Sequence, residues 1–154
     1  MPITMIPSVK SIYETSLGLG IPVTATARAH ANADVDTFTV ADGSVLVTLI
    51  YGVITVAPGG AVNISAGNNP TIATGTTVAW WTAADVNGAD IGDIIGVDLP
   101  AGTPTTCITQ RVQSAVKFVA LAGTIFVRGT AVQGTSQWTL YYIPITAGAS
   151  VVTV

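Results

Sequence analysis

Residues 44–56 have the sequence Ser44-Val45-Leu46-Val47-Thr48-Leu49-Ile50-Tyr51-Gly52-Val53-Ile54-Thr55-Val56. Valine, isoleucine and threonine are frequent in it, and their branched Cβ atoms favour extended backbone. Apolar residues occupy positions of both parities, which is typical of a strand buried on both faces. Gly52 interrupts the stretch and predicts a β-bulge. We therefore expect a central strand of a β-sandwich here.

The composition of the whole chain favours the same all-β class. Among its 154 residues are 23 Thr, 20 Val and 15 Ile, but only 7 Leu, a single Glu and 5 Lys and Arg together, so the residues usual on helix surfaces and seams are scarce. Sixteen glycines and eight prolines separate the apolar stretches into short segments. About seven to nine strands at roughly ten-residue spacing predict a two-layer β-sandwich or a jelly-roll-like domain.

The first part of the chain differs from the rest. Pro2, Pro7 and Pro22 break every candidate element there, and residues 25–33 alternate alanine with small or polar side chains. We expect residues 1–35 to form an extended N-terminal arm and residues 36–154 to form the β-sandwich domain. An ordinary edge strand with a loose start explains the same residues equally well.

Charge and hydropathy exclude several classes of function. Only 8% of the residues are charged, and five basic against eight acidic side chains give a net charge of −3. So few cations cannot neutralise many phosphates, and we expect no nucleic-acid partner. The charge-free residues 43–84 are interrupted by glycine and proline turns, so we expect no membrane-spanning helix. Residues 1–7 lack the basic region and the apolar core of a signal peptide, which favours synthesis in the cytoplasm.

Three local features add further expectations. Thr82-Ala83-Ala84-Asp85 has the form of a capping box and is followed by Gly88, which predicts one or two turns of helix. Ala122-Gly123 lies between two apolar stretches and predicts a β-hairpin turn. The lone cysteine, Cys107, cannot close an intrachain disulfide, and we expect it to be a buried thiol.

Residues that could perform catalysis are few. The one histidine, His30, lies in the weakly patterned first part of the chain, whereas a catalytic base is held on a rigid scaffold. Asp85, Asp90, Asp93 and Asp98 could offer oxygen ligands to a cation such as Ca²⁺, but aspartates also suit tight turns, which is the explanation we favour. Because glycine-rich phosphate-binding motifs are absent as well, we expect neither an enzyme nor a cofactor.

Aromatic and uncharged segments predict an interface with other chains. Trp80 and Trp81 are adjacent, as are Tyr141 and Tyr142, so strand alternation would place one member of each pair in the core and the other outside. Residues 129–154 carry no charge, and an exposed segment of this kind aggregates unless another chain covers it. A wholly buried terminal strand pair is the alternative. The candidate interface residues are Trp81, Trp138, Tyr141, Tyr142 and Val152.

Scattered blocks of the sequence resemble small β-rich virion proteins of tailed bacteriophages. The blocks are Phe38–Thr55, Gly123–Ile125, Gln137–Ile145 and Gly148-Ala149. The resemblance is to head decoration proteins, which are also called cement or auxiliary capsid proteins. It implies a structural protein that binds the outer surface of the phage head, has the major capsid protein as its partner and commonly forms a homotrimer. It implies no active site.

Two other functions fit the same β-rich composition. One is a tail, fibre or collar component of a virion, which would be present in a few copies and not in hundreds. The other is a secreted β-sandwich binding module or a pilus-type subunit, which would be made with a signal peptide.

Overall fold

The computed structural model describes residues 18–72, 76–98, 105–109 and 117–154. Over these ranges the chain forms thirteen β-strands and no helix, which confirms the all-β class predicted from the branched residues. The strands are β1 (Ile21–Thr24), β2 (Arg28–Ala29), β3 (Asp34–Ala41), β4 (Val45–Val56), β5 (Asn63–Pro70), β6 (Val78–Ala79), β7 (Ala84–Asp85), β8 (Ile94–Asp98), β9 (Thr105–Thr109), β10 (Phe118–Ala120), β11 (Gly123–Gly129), β12 (Thr135–Pro144) and β13 (Ser150–Thr153). None of the described segments is therefore a helix that could cross a bilayer.

The strands form two antiparallel sheets that pack together. Sheet A has the order β1-β12-β4-β8-β9, with β2 beside β12 and β10 beside β4. Sheet B has the order β13-β3-β11-β5-β6, with β7 beside β5. At one margin β1 lies near β13, and at the other β9 lies near β7. This is the two-layer β-sandwich expected from the sequence, whereas the jelly-roll variant stays a prediction.

The long pair β4–β12 forms the centre of sheet A, and its bulges differ from the predicted one. The register skips Thr48 and Thr55 of β4, so the extra residues lie there and not at Gly52. Gly52 is instead paired directly with Trp138. The Thr48 hydroxyl donates to the Leu19 carbonyl oxygen and also lies 3.3 Å from the Tyr141 carbonyl oxygen, so its side chain contacts neighbouring backbone beside the interruption.

The core lies between the two sheets. Sheet A contributes inward side chains of β4 and β12, among them Val47, Ile50, Ile54, Trp138 and Leu140. Sheet B contributes Phe38, Val40, Ile64, Ile125 and Val127. All ten are at most 6% exposed. Removing these branched and aromatic side chains from water is the main source of the free energy that holds the sheets together.

The chain before β3 joins sheet A. β1 pairs antiparallel with the second half of β12, and β2 pairs with the beginning of the same strand. Ile21–Thr24 and Arg28–Ala29 are therefore strands of sheet A, whereas the division between an arm and a domain at residue 35 stays a prediction. Residues 1–17 of the expected arm lie outside the described residues.

The predicted helical turn at residues 82–85 is wrong. Ala84 and Asp85 form β7, which pairs with Ile64 and Asn63 of β5. The Asp85 Oδ1 atom accepts a hydrogen bond from the Asn87 backbone N–H at 2.9 Å. The aspartate therefore caps a turn at the end of a short strand. The backbone N–H and C=O groups of Ala84 and Asp85 bond to β5 of sheet B and not to one another, as they would in a helix.

The predicted hairpin at Ala122-Gly123 is also wrong. β10, which precedes it, pairs with β4 in sheet A, whereas β11, which follows it, pairs with β3 and β5 in sheet B. The dipeptide is thus a corner where the chain crosses from one sheet to the other. Gly123 has a φ of 144°, and a Cβ there would lie 2.3 Å from the Asn69 carbonyl oxygen, so the corner requires glycine.

Trp80 and Trp81 are both buried, which contradicts the alternation expected of them. β6 ends at Ala79, so both residues follow the strand and its alternation does not reach them. Trp80 stacks on Phe118 of β10 with 5.0 Å between ring centroids and an interplanar angle of 8°. The Trp81 Nε1–H donates to the Ile64 carbonyl oxygen at 3.3 Å. The two indoles therefore connect sheet B to β10 of sheet A.

Candidate interaction surface

The outer side of β4 is apolar and partly exposed. Leu46, Leu49, Tyr51 and Val53 point away from the core and are half-buried, whereas the residues between them pack inward or lie at the bulge. The apolar stretch that predicted burial on both faces is therefore covered on its inner face, while its outer face remains open to solvent.

Neighbouring strands extend this apolar surface on both sides. Tyr141 lies opposite Leu49, and Ile143 and Val119 lie on either side of Leu46. Val119 is 55% exposed and Ile143 is 39% exposed. Pro22 of β1 and Ile94 of β8 complete the surface by the same registers. We call these nine side chains face A: Pro22, Leu46, Leu49, Tyr51, Val53, Ile94, Val119, Tyr141 and Ile143.

Face A carries no charged side chain among the residues that the structure describes. The polar residues interspersed with it are Thr24, Thr55, Gln137 and Thr139. The Thr24 and Thr139 hydroxyls are 3.0 Å apart and hydrogen-bonded, and the Thr55 hydroxyl is bonded to that of Thr135 at 2.6 Å. Because these hydroxyls satisfy one another, the surface is suited to an apolar partner surface more than to a charged ligand.

The outer side of sheet B has the opposite character. Arg128 of β11 forms a bidentate ion pair with Asp34 of β3, with Nε–Oδ1 at 2.5 Å and Nη2–Oδ2 at 2.9 Å. The hydrogen bond and the charge of Asp34 raise the pKa of Arg128. The guanidinium lies 5.5 Å from the ring centroid of Phe126, which is only 1% exposed. Sheet B thus covers its outward phenylalanine with a charged pair, and sheet A has no equivalent cover.

A groove of about 410 Å³ opens beside face A, between the margins of the two sheets. Its lining residues are Asn68, Pro70, Thr76, Val78, Trp80, Lys117, Phe118, Val119 and Leu121. The stacked rings of Trp80 and Phe118 lie within it. Val119 belongs both to the groove and to face A, so the apolar surface continues from the outer side of sheet A to the margin of the sandwich.

The five interface candidates named from the sequence are distributed over the molecule. Trp81, Trp138 and Tyr142 are at most 5% exposed and pack in the core. Tyr141 lies on face A. Val152 of β13 is 52% exposed and lies on the outer side of sheet B, opposite Thr39. The role of these residues at an interface stays a prediction, and the structure brings only Tyr141 into face A.

Of the aspartates considered as metal ligands, Asp85 and Asp93 accept hydrogen bonds within turns, whereas Asp98 ends β8 and its side chain is outside the described part. Asp93 Oδ2 accepts a hydrogen bond from the Asp90 backbone N–H at 2.9 Å, and Asp85 caps the turn at Asn87. Within the described part of the chain, no group of three or more His, Cys, Asp or Glu side chains lies close enough together to hold a metal ion. Cys107 lies in β9, and its side chain is outside the described part.

The sequence did not single out Leu46, Leu49, Tyr51, Val53 or Val119. The sequence does contain an indication of them, because residues 44–56 are apolar at positions that point to both sides of a strand. This pattern predicts burial on both faces of the strand, whereas the structure leaves the outer face open to solvent.

Comparisons with protein-family models, with curated proteins and with solved structures found no match.

Proposed function

We propose that this protein is a structural component of the tailed-bacteriophage virion that binds the outer surface of the head and stabilises it. The observation that carries the proposal is face A, a set of nine apolar side chains on one side of a sandwich whose other side is charged. A free monomer exposes such a surface to water at a cost in free energy, whereas a shell protein buries it against its neighbours.

The size of face A supports a docking role. The five strands that carry face A, β1, β4, β8, β10 and β12, have 34 residues together, which at about 3.3 Å per residue and about 4.8 Å between strands cover roughly 540 Å². The largest apolar patch on an ordinary monomer measures about 300–600 Å², and a stable interface buries about 800 Å² on each partner. Face A therefore lies at the upper end of the range for a single patch, and the groove beside it continues the apolar surface through Val119.

The resemblance of the sequence to head decoration proteins is the reason for proposing the major capsid protein as the partner. In a head decoration protein the apolar face would lie on the major capsid protein, and the charged outer side of sheet B would face solvent. Several copies, commonly three, would engage neighbouring capsid subunits together, so contacts that are weak one by one add up to firm attachment. Such a role needs neither catalysis nor a cofactor.

Binding to heads tests this proposal. Heads of the virus that encodes the chain, assembled without it, are mixed with the purified full-length protein, and bound protein is measured by cosedimentation and located by cryo-EM. We expect saturation at a fixed number of copies per capsid subunit. Val119→Lys should weaken binding at least about tenfold, because a lysine buried without a partner is strongly unfavourable.

Val152→Lys is the matched control, since Val152 is a valine of nearly the same exposure on the outer side of sheet B. We expect it to bind heads like the unchanged protein. Failure of the unchanged protein to bind heads would overturn the proposal, and density confined to the tail would identify a tail component instead. If Val152→Lys and not Val119→Lys lost binding, the docking surface would lie on sheet B.

A further inference from the structure

His30 is buried at the end of β2, where the chain leaves sheet A. Its side chain is 3% exposed, and its Nδ1 atom lies 2.5 Å from the Gln133 carbonyl oxygen. Its Nε2 atom lies 3.0 Å from the Ser136 hydroxyl, which in turn lies 2.7 Å from the Nε1 atom of Trp138. These contacts connect the end of β2 to Gln133, in the turn before β12, and to Ser136 and Trp138 of β12 itself.

The chemistry of the partners fixes the direction of each hydrogen bond. A carbonyl oxygen only accepts, so His30 must carry its proton on Nδ1 and donate to Gln133. The indole only donates, so the Ser136 oxygen accepts from Trp138 and its own proton is left for His30 Nε2. All four groups are then satisfied with a neutral imidazole.

Protonation of His30 would break this arrangement. An N–H on Nε2 would face the Ser136 hydroxyl, whose proton would lose its acceptor. The adjoining cavity measures about 10 Å³, which is the lower limit for a single water molecule. Burial accordingly lowers the pKa of His30, although the bond to Gln133 partly opposes that effect.

The charged groups around His30 offer no compensation for an imidazolium. The cavity beside it is lined by Arg28, Ala29, Val35, Thr37, Val127, Gly129, Ser136 and Trp138. Arg28, on β2 itself, is a cation, and its guanidinium donates to the Val154 carbonyl oxygen. Asp34 and Arg128, the charged neighbours on β3 and β11, pair with each other on the outer side of sheet B. Asp36 of β3 is exposed, and β12 carries no charge.

We propose that His30 is an acid-sensitive latch, whose protonation releases β2 and its flanking residues from β12 and from the end of β11. The backbone bonds that would open with it are His30 N–H to Gly134 O at 3.1 Å and Gly129 N–H to Ala31 O at 3.0 Å. The neutral imidazole closes the latch above about pH 6.5, the ordinary pKa of histidine. Below that pH the open form binds a proton more readily than the closed form, so opening increases as the pH falls.

Amide hydrogen exchange of the full-length protein, followed by NMR from about pH 7.5 to about pH 5.0, tests the latch. After correction for intrinsic exchange, we expect the opening of the His30 and Gly129 amides to rise by up to about thirtyfold at the lower pH. The Trp80 amide, bonded to Ala66 O at 2.8 Å in sheet B, is the internal reference and should not change. Because the chain has one histidine, its imidazole resonance reports the same titration directly.

His30→Asn is the matched variant, because its amide can still donate to Gln133 but does not titrate. Its exchange profile should be flat over the same range. If that variant does not fold, the unchanged protein alone tests the proposal. The opening of its His30 and Gly129 amides must then follow the same pH dependence as the titration of the His30 imidazole. An imidazole pKa at or above 6.5, or protection that is independent of pH, would overturn the latch. So would opening of the Trp80 amide in parallel, which indicates global unfolding.

Discussion

At position 52 the backbone of β4 comes close enough to an indole to leave no room for a side chain. A Cβ at Gly52 would lie 2.8 Å from Cε2 and 2.9 Å from Cζ2 of Trp138. Both residues are in the core, and neighbouring core side chains hold the indole in place. The glycine is therefore determined by packing against the opposite strand and not by an unusual backbone conformation.

Gly52→Ala should destabilise the protein by about 1–3 kcal/mol, because the indole must shift within a packed core. Gly59→Ala is the control, since its Cβ would meet only the flexible Gln133 side chain at 3.2 Å. Urea unfolding followed by tryptophan fluorescence measures both. An equal effect of the two substitutions would show that the loss comes from glycine removal in general and not from Trp138.

Position 48 explains why the sequence alone could not identify face A. Before the bulge, Val45 and Val47 point inward, and after it Ile50 and Ile54 do so, which means that the inward parity changes within one strand. A single extra residue moves every following side chain to the other face. The bulge depends on pairing with β12, which is distant in sequence, so composition predicted a strand but not its sides.

Among the secondary structure elements, the corner between β10 and β11 is held by one buried amide. Asn68 of β5 is 3% exposed and accepts from the Leu121 N–H at 2.9 Å. Its Nδ2 donates to the Leu121 carbonyl at 3.2 Å and to the Thr124 carbonyl at 3.0 Å. The amide therefore takes the place of the strand pairing that the chain gives up as it crosses between the sheets.

Asn68→Ala should cost about 1–3 kcal/mol of stability, because the Leu121 N–H and two carbonyl oxygens would be left buried with one partner fewer. Asn69→Ala is the neighbouring control, since Asn69 is exposed and its side chain accepts from the Thr77 hydroxyl at 2.8 Å. Thermal unfolding by circular dichroism compares them. A shift of the unfolding temperature as small in Asn68→Ala as in Asn69→Ala would contradict the role given to this amide.

Most strands could be predicted from the sequence, whereas their assignment to sheets could not. Branched residues between glycine and proline turns located β3, β4, β11 and β12, because extended backbone is a local preference. The hairpin at Ala122-Gly123 was wrong because β10 and β11 pair with different partners. The helical turn at residues 82–85 was wrong because β5 offered a strand to pair with. In each error a long-range pairing outweighed a local pattern.

The outer sides of the two sheets differ, because face A carries no charged side chain among the described residues, whereas sheet B carries an ion pair. Asp34 and Arg128 pair on the outer side of sheet B, Asp85 lies in β7 of the same sheet, and Asp93 lies in the turn before Ile94 of β8. The low net charge of −3 adds little repulsion between copies or toward a partner. The free energy of docking through face A would then come from removal of apolar surface from water, with almost no contribution from ion pairs.

That origin of the binding energy predicts an unusual response to salt. Raising NaCl from about 50 mM to about 500 mM shortens the screening length several-fold and weakens interactions between exposed charges. Binding of this protein to heads should change less than about twofold, because no charge on face A is screened. Sulfate should strengthen binding and cooling should weaken it, since both act on apolar burial. Sedimentation of heads with increasing protein, repeated at each salt concentration and temperature, gives the affinities. A steep loss of affinity with NaCl would show that the charged side of sheet B, and not face A, contacts the capsid.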